Sequence, residues 1–332
     1  MKSIHYTSRR GSLRSRAADA GFSLIELMVA MIIGLLVLLA TAGIFVSNRQ
    51  TYDATESVGR LQENARVAFE IMARDIRDAG GNPCSKVIPV ANVLNNPTTQ
   101  WWMDFGNGIF GYTNGGLPGS AAGTDAIEVK SGAPTGVTVT DHQPTSAQFK
   151  VNTINHGLSD GDVLLVCDYR QAAIFQVTNA SPGTNETVVH NSGTGTPGNC
   201  SKGLGFRSPM DCSVNGTAYQ YGPNSQMVRF QAAQWYIAEN GRGTRSLYRR
   251  ALRGSALQVE EVVEGVQDMD ITYLVPGATE YVPAGSVTAT QWREVNAVRV
   301  VLALRGADRV GTDGQVLRRT LEHVVTLRNR LP

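Results

Sequence analysis

The sequence predicts an α+β fold, in which a long amino-terminal α-helix with a transmembrane first half packs on a mostly antiparallel β domain. An uncharged apolar run close to the amino terminus predicts the membrane-spanning part of the helix. Apolar residues spaced by three and four positions continue the helix, and short runs of alternating apolar and polar residues follow it. With 332 residues, 42% of them hydrophobic and 17% charged, the chain can form a folded domain.

A basic leader of 21 residues precedes the apolar run. Its acidic residue is Asp19, and its basic residues are Lys2, Arg9, Arg10, Arg14 and Arg16. Without the leader, 25 basic and 27 acidic residues remain of the 30 and 28 in the whole chain. The remainder therefore shows no strong charge bias toward nucleic acid.

The apolar segment is long enough to cross a membrane. Residues 27–46 include no charged side chain, and extending the segment back to Phe22 gives 25 residues. A helix of that length measures about 38 Å, since each residue adds about 1.5 Å. The basic residues before the segment predict a cytoplasmic amino terminus and an exported domain after Val46.

A cleaved secretory signal peptide would also have a basic start and an apolar core. The run observed here is longer than the roughly 7–15 residues of a typical signal-peptide core. Its end is bulky, with Ile44, Phe45 and Val46, and the small residue Gly21 comes before the run instead. These features favour an anchor that is kept in the membrane.

Glu26 is an acidic residue near the start of this apolar helix. A charged side chain inside a membrane costs about 2.5–3.5 kcal/mol, so such a residue is a candidate functional site. A positively charged α-amino group would compensate it if the mature chain began near Phe22. The alternative is that Glu26 lies at the level of the lipid headgroups.

The decapeptide GFSLIELMVA at residues 21–30 resembles the processing site of type IV prepilins. The resemblance implies that a prepilin peptidase cleaves between Gly21 and Phe22 and methylates the new amino group of Phe22. It also implies that Glu26 pairs with the amino group of a neighbouring subunit during assembly. Residues 22–46 would then form the transmembrane helix in the membrane and the core helix in a filament.

An amphipathic helix is predicted to continue over residues 47–79. Its apolar face consists of Val58, Leu61, Ala65, Phe69, Met72, Ile76 and Ala79. Gly80 and Gly81, followed by Pro83, predict its end. Many major pilins have proline at the position of Gly43, so a bend there is left open.

Residues 80–332 are predicted to form the exported, β-rich domain. The candidate strands are 126–130, 137–140, 163–166, 174–178, 228–232, 246–252, 266–275, 298–305 and 321–328. Residues 106–123 and 179–199, rich in Gly, Asn and Ser, are predicted to be long loops.

Four cysteines follow the apolar segment: Cys84, Cys167, Cys200 and Cys212. They form no C-x-x-C pair and have no histidine at a metal-ligand spacing. An even number outside the cytoplasm favours disulfides over free thiols. Of the three pairings, we favour Cys200 with Cys212, which closes a short loop, and therefore Cys84 with Cys167.

Several segments resemble minor pilins of the PilW type and the related type II secretion pseudopilin GspJ. They are residues 75–81, 123–129, 161–166, 173–177, 246–249, 263–269 and 325–330. The resemblance implies a low-copy subunit that primes or supports pilus assembly and that sits in the inner membrane with a periplasmic domain, or at the cell surface in the pilus. The implied partners are other minor pilins, the major pilin, prepilin peptidase, the inner-membrane assembly platform and a tip adhesin.

Catalytic motifs are weak. Residues 193–198 fit G-x-G-x-x-G, but they include Pro197 and open no predicted helix. We expect no enzyme activity, no metal site and no cofactor. Two alternatives to a priming subunit stay open, namely a type II secretion pseudopilin and an adhesive or DNA-binding module at the pilus tip.

Overall fold

A computed structural model describes residues 21–81, 84, 88–307, 309 and 315–330. The chain divides into two compact units, Met1–Thr55 and Glu56–Pro332. The described part of the first unit consists of the first half of α1, and the second unit contains the rest of α1 and the β domain. The predicted α+β class is confirmed.

Helix α1 spans Leu24–Asp78. It is helical through Gly43, where an added side-chain carbon would meet no atom within 4 Å outside the adjoining helix backbone. In the second unit its buried face consists of Ser57, Leu61, Ala65, Ala68, Phe69, Met72 and Ile76. Val58, predicted on this face, is exposed, and Ser57 is buried in its place. Gly80 ends the helix with a positive φ of 69°, a conformation that glycine adopts at little cost.

The described residues form fifteen strands in two sheets. They are β1 (Val90–Asn92), β2 (Ile109–Tyr112), β3 (Ala126–Gln143), β4 (Gln148–Val151), β5 (Val163–Cys167), β6 (Ala172–Gln176), β7 (Asn179–Ala180), β8 (Thr187–Val189), β9 (Gln226–Glu239), β10 (Arg245–Arg253), β11 (Ala256–Glu264), β12 (Val266–Leu274), β13 (Val282–Pro283), β14 (Ala297–Arg305) and β15 (Arg318–Thr326). Almost all strand pairs are antiparallel, and the exception is β1 with β6.

Strand β9 lies at the centre of the larger sheet. This sheet has the order β1-β6-β5-β9-β3-β4-β8-β7, with β10 and β11 added beside β9 and β2 beside β3. The smaller sheet has the order β13-β12-β14-β15. Gly265 connects β11 of the larger sheet to β12 of the smaller one, and an added Cβ there would lie 2.7 Å from the carbonyl oxygen of Arg305. A side chain larger than hydrogen therefore does not fit at this corner.

Three large hydrophobic cores stabilise the second unit, and two of them matter for the sites described below. The helix-facing core packs α1 residues such as Phe69 and Met72 against Trp235 of β9 and against β12 and β14. The upper core, formed by β3, β4, β5, β6 and β8, surrounds Phe149 and Phe175 and lies away from the helix residues.

The last described residues close the end of the helix. Asn329 donates its side-chain amide to the carbonyl of Asp78 at 3.3 Å, and the guanidinium of Arg330 donates to the carbonyl of Asn107. Burial lowers the pKa of Arg330 to about 10. The carboxyl-terminal segment therefore holds the point where the helix meets the sheets.

The two segments predicted as loops contain strands. Residues 106–123 include β2, which pairs with β3, and residues 179–199 include β7 and β8. Both segments are rich in turn residues, so their strands of two to four residues showed no clear pattern in the sequence. The predicted strands 126–130 and 137–140 form one strand, β3, whose register shifts between Pro134 and Val137.

Candidate functional site

The start of α1 is a capping box. The backbone N–H of Glu26 donates to the Ser23 hydroxyl at 3.2 Å, and the backbone N–H of Ser23 donates to Glu26 Oε2 at 3.0 Å. This reciprocal pair satisfies two backbone donors that a helix start leaves free. The spacing Ser-x-x-Glu is visible in the sequence, although the helix cap was not predicted from it. Glu26 thus has a local partner within its own chain.

The helix after the capping box exposes its apolar side chains. Phe22 is 87% exposed, and every large apolar residue of residues 22–46 is exposed as well. Thr41, the polar residue in this stretch, donates its hydroxyl to the carbonyls of Val37 and Leu38. The described residues contain one helix that is long and apolar enough to span a membrane. Such a surface needs lipid or neighbouring helices around it.

Helix and sheet are joined by an ion pair in the second unit. Asp75 of α1 accepts hydrogen bonds from Arg249 Nε at 2.8 Å and from Trp235 Nε1 at 3.0 Å. Both charged side chains are 15% exposed. Asp75 belongs to one of the PilW-like segments, and this contact gives that carboxylate a structural role.

Replacing Asp75 with alanine should destabilise the second unit by about 2–4 kcal/mol, because Arg249 and Trp235 lose their acceptor in a mostly buried place. Urea unfolding followed by tryptophan fluorescence measures the change. Glu70→Ala is the matched control, since Glu70 lies on the same helix in an exposed pair with Arg66 and should change little. Equal stability of the Asp75 and Glu70 variants would contradict the assigned role.

The four cysteines form two disulfides. Cys84 is bonded to Cys167, with Cα atoms 6.0 Å apart, and Cys200 is bonded to Cys212, with Cα atoms 5.0 Å apart. The first bond fastens the chain after α1 to the end of β5. The second fastens the segment that leads from β8 to β9.

The G-x-G-x-x-G segment and two nearby aspartates take part in hydrogen bonds within the domain. In residues 193–198, the N–H of Gly198 donates to Gln176 Oε1 at 2.8 Å, and no helix follows. Asp160 and Asp162 each accept a backbone N–H, and Asp162 also pairs with Arg229. The part of the chain that the structure describes has no cluster of three metal-ligating side chains.

Two aromatic side chains differ in their exposure. Trp102 is buried in a third core, together with Leu165 and Phe230. His323 on the edge strand β15 is exposed, although its ring centre lies 4.2 Å from that of Phe69.

Two protein-family models match the chain. Residues 16–42 match the prokaryotic N-terminal methylation motif, and residues 234–315 match the type IV pilus-assembly protein W family, PilW. The searches of curated proteins and of solved structures gave no match.

The two matches fall on the two units of the structure. The methylation motif contains the capping box and the exposed apolar helix, and the PilW match covers β10 to β14. Of the PilW-like segments noted in the sequence, residues 246–249 and 263–269 lie within the match, and the others lie outside it. The two matches support a type IV minor pilin that resembles PilW, and the apolar helix supports anchoring in a membrane by a single span.

Proposed function

We propose that this minor pilin primes or supports assembly of a type IV pilus. Cleavage between Gly21 and Phe22 by a prepilin peptidase, followed by methylation of Phe22, would place the new amino group four residues from Glu26. The observation that carries the proposal is an exposed apolar helix whose start is capped by the Glu26 carboxylate. Both lie inside the match to the methylation motif. Twitching motility, adhesion and DNA uptake are the activities that such a pilus would serve.

Glu26 can serve both the single subunit and the assembled filament. Its Oε2 atom accepts the Ser23 N–H, and a carboxylate has room for further hydrogen bonds. The ammonium group of Phe22 from a neighbouring subunit would add a charge-assisted bond in a place of low dielectric constant. The capping box holds the carboxylate at the helix start until that partner arrives.

Glu26→Ala should reduce incorporation of the subunit into pili by about ten- to a hundredfold, the effect of losing a hydrogen bond to a charged group. The measurement is the ratio of this subunit in sheared pili to that in cells, by immunoblot. Ser23→Ala is the matched control, since it removes the cap and keeps the carboxylate. If both variants enter pili equally well, Glu26 acts only as a helix cap.

A deletion strain tests the function itself. Loss of surface pilin with normal protein secretion, restored by the wild-type gene, supports the proposal. Normal surface pilin with exoproteins held in the periplasm would instead assign the chain to a type II secretion pseudopilus. In the proposed topology the amino terminus is cytoplasmic and the β domain periplasmic, with other minor pilins, the major pilin and the assembly platform as partners.

A contact at the pilus tip is the second candidate function. Tyr169 in the β5–β6 hairpin is 79% exposed, with the guanidinium of Arg170 5.5 Å from its ring centre, and Phe206 is 45% exposed. The N–H of Phe206 donates to the side chain of Gln171, which fixes the two segments together. Exposed aromatic and arginine side chains on neighbouring segments are typical of binding surfaces. Tyr169→Ala should then reduce adhesion without reducing the number of pili.

A further inference from the structure

Two histidines share one hydrogen bond inside the upper core. His142 of β3 and His190, which follows β8, are both fully buried, and their Nε2 atoms are 3.2 Å apart. The ring of Phe149 stacks on His142 with centres 4.0 Å apart, and the ring centre of Phe175 lies 5.5 Å from that of His190. The pair is thus enclosed by apolar rings.

The surrounding hydrogen bonds define where each proton lies. The backbone N–H of Tyr221 donates to Nδ1 of His142 at 3.1 Å, so this nitrogen carries no proton. Neutral His142 therefore carries its proton on Nε2 and donates it to Nε2 of His190. His190 then carries its own proton on Nδ1, which has no hydrogen-bond partner among the described residues. Both rings are neutral in this arrangement.

An additional proton has no favourable position. On Nδ1 of His142 it would face the N–H of Tyr221, and on Nε2 of His190 it would face the N–H of His142. Burial lowers the pKa of His142 to about 4, and burial together with the nearby His142 lowers that of His190 to about 3. Both pKa values lie below the ordinary histidine pKa of about 6.5. Each imidazole regains that ordinary pKa when the core opens and water reaches the ring.

The charged groups around the pair do not compensate the positive charge that an additional proton would bring. Asp141, beside His142 on β3, raises the pKa of His142, but burial outweighs this effect. Lys150 of β4 donates to Thr187, and Lys202 donates to the carbonyl of Thr145. The phenol of Tyr221 is buried, which raises its pKa, and it accepts a hydrogen bond from Gln171.

We propose that the His142–His190 pair makes the upper core an acid-sensitive part of the domain, which opens locally when an imidazole is protonated. The helix-facing core, held by Asp75 and Arg249, would stay closed under the same mild acid. The direction follows from linkage, because the open state binds more protons than the closed state between about pH 6.5 and pH 4. The free energy needed to open the upper core is therefore highest above about pH 6.5, and it decreases as the pH falls below that value.

Hydrogen exchange on the full mature chain in detergent micelles tests this inference at pH 7 and pH 5. After correction for intrinsic exchange, opening at β4, β8 and residues 219–221 should increase by about 20-fold if one proton is taken up and by several hundredfold for two. Opening of α1 and β9 near Trp235 should change much less. Opening that does not depend on pH, or equal opening of both cores, would overturn the proposal.

Variants separate the pair from other acid effects. In His190→Gln the amide oxygen can accept the His142 proton without titrating, and in His142→Gln an oxygen can accept the Tyr221 N–H. The double variant should lose the pH dependence of the upper core. His323→Gln removes an exposed histidine on β15 and should keep the wild-type dependence. A double variant that still opens in acid would show that other groups carry the effect.

Discussion

Replacing Gly21 with valine should leave the 21-residue leader on the chain and lower the rate of processing by about 100-fold, the effect expected when a scissile bond is displaced by about 1 Å. Gly21 is exposed, and an added side-chain carbon would meet no atom within 4 Å. The substitution therefore leaves the subunit itself undisturbed. Mass spectrometry of membranes from cells that contain the prepilin peptidase measures the ratio of processed to unprocessed chain.

Gly43→Val is the control for this experiment. Gly43 lies within the apolar helix that follows Gly21 and also has free space around it, so an added side chain there should leave processing at the wild-type level. Efficient cleavage of the Gly21 variant at the same bond would refute the assignment of Gly21 as the residue before the cut. Cleavage at another bond would change the number of residues between the mature amino terminus and Glu26.

Removing the Cys84–Cys167 bond should destabilise the β domain by about 4–5 kcal/mol, because the bond closes a loop with a sequence separation of 83 residues. In the chain-entropy model this loss arises in the unfolded state, which gains freedom when the crosslink is absent. The variant replaces both cysteines with serine. Its urea unfolding midpoint, compared with that of the oxidised wild-type chain, gives the change.

Cys200 and Cys212 provide an internal comparison. Their separation is 12 residues, so the same model gives a smaller loss, about 3 kcal/mol, for the second double variant. A larger loss from the Cys200–Cys212 variant would mean that native contacts in the β8–β9 connection, rather than loop entropy, dominate. No loss from either variant under non-reducing conditions would contradict a stabilising role for both bonds.

The elements that the sequence predicted are those with a strong local pattern. Strand β14 alternates buried Val298, Val300 and Leu302 with more exposed neighbours, and the prediction found it. Strand β11 was missed, because most of its residues are exposed and its apolar alternation stops at the adjacent pairs Glu260-Glu261 and Val262-Val263. Strand β4 was missed as well, since four residues give too short a pattern. Pairing with β10 and β3 specifies these strands, and such pairing is not visible locally.

In the candidate site, too, features formed by neighbouring residues were predicted, and pairs distant in sequence were not. The apolar run and Glu26 are contiguous in sequence, and both were predicted. Asp75 and Arg249 are 174 positions apart, and the two histidines of the upper core are 48 apart. Such pairs depend on strand order, which one sequence does not reveal. Asp75 was noted as part of a PilW-like segment, but its ion pair with Arg249 was not foreseen.

The contacts of the carboxyl-terminal segment with α1 determine when the domain can finish folding. Asn329 reaches back 251 positions to Asp78, and His323 packs on Phe69. The helix is therefore synthesised long before the residues that hold it, and in the proposed topology the part of the chain after the membrane anchor cannot finish folding until its last strand has crossed the membrane. Contacts of this range slow folding. The apolar helix face would meanwhile be exposed to chaperones and proteases, so this subunit should be most vulnerable to degradation during its own synthesis and export.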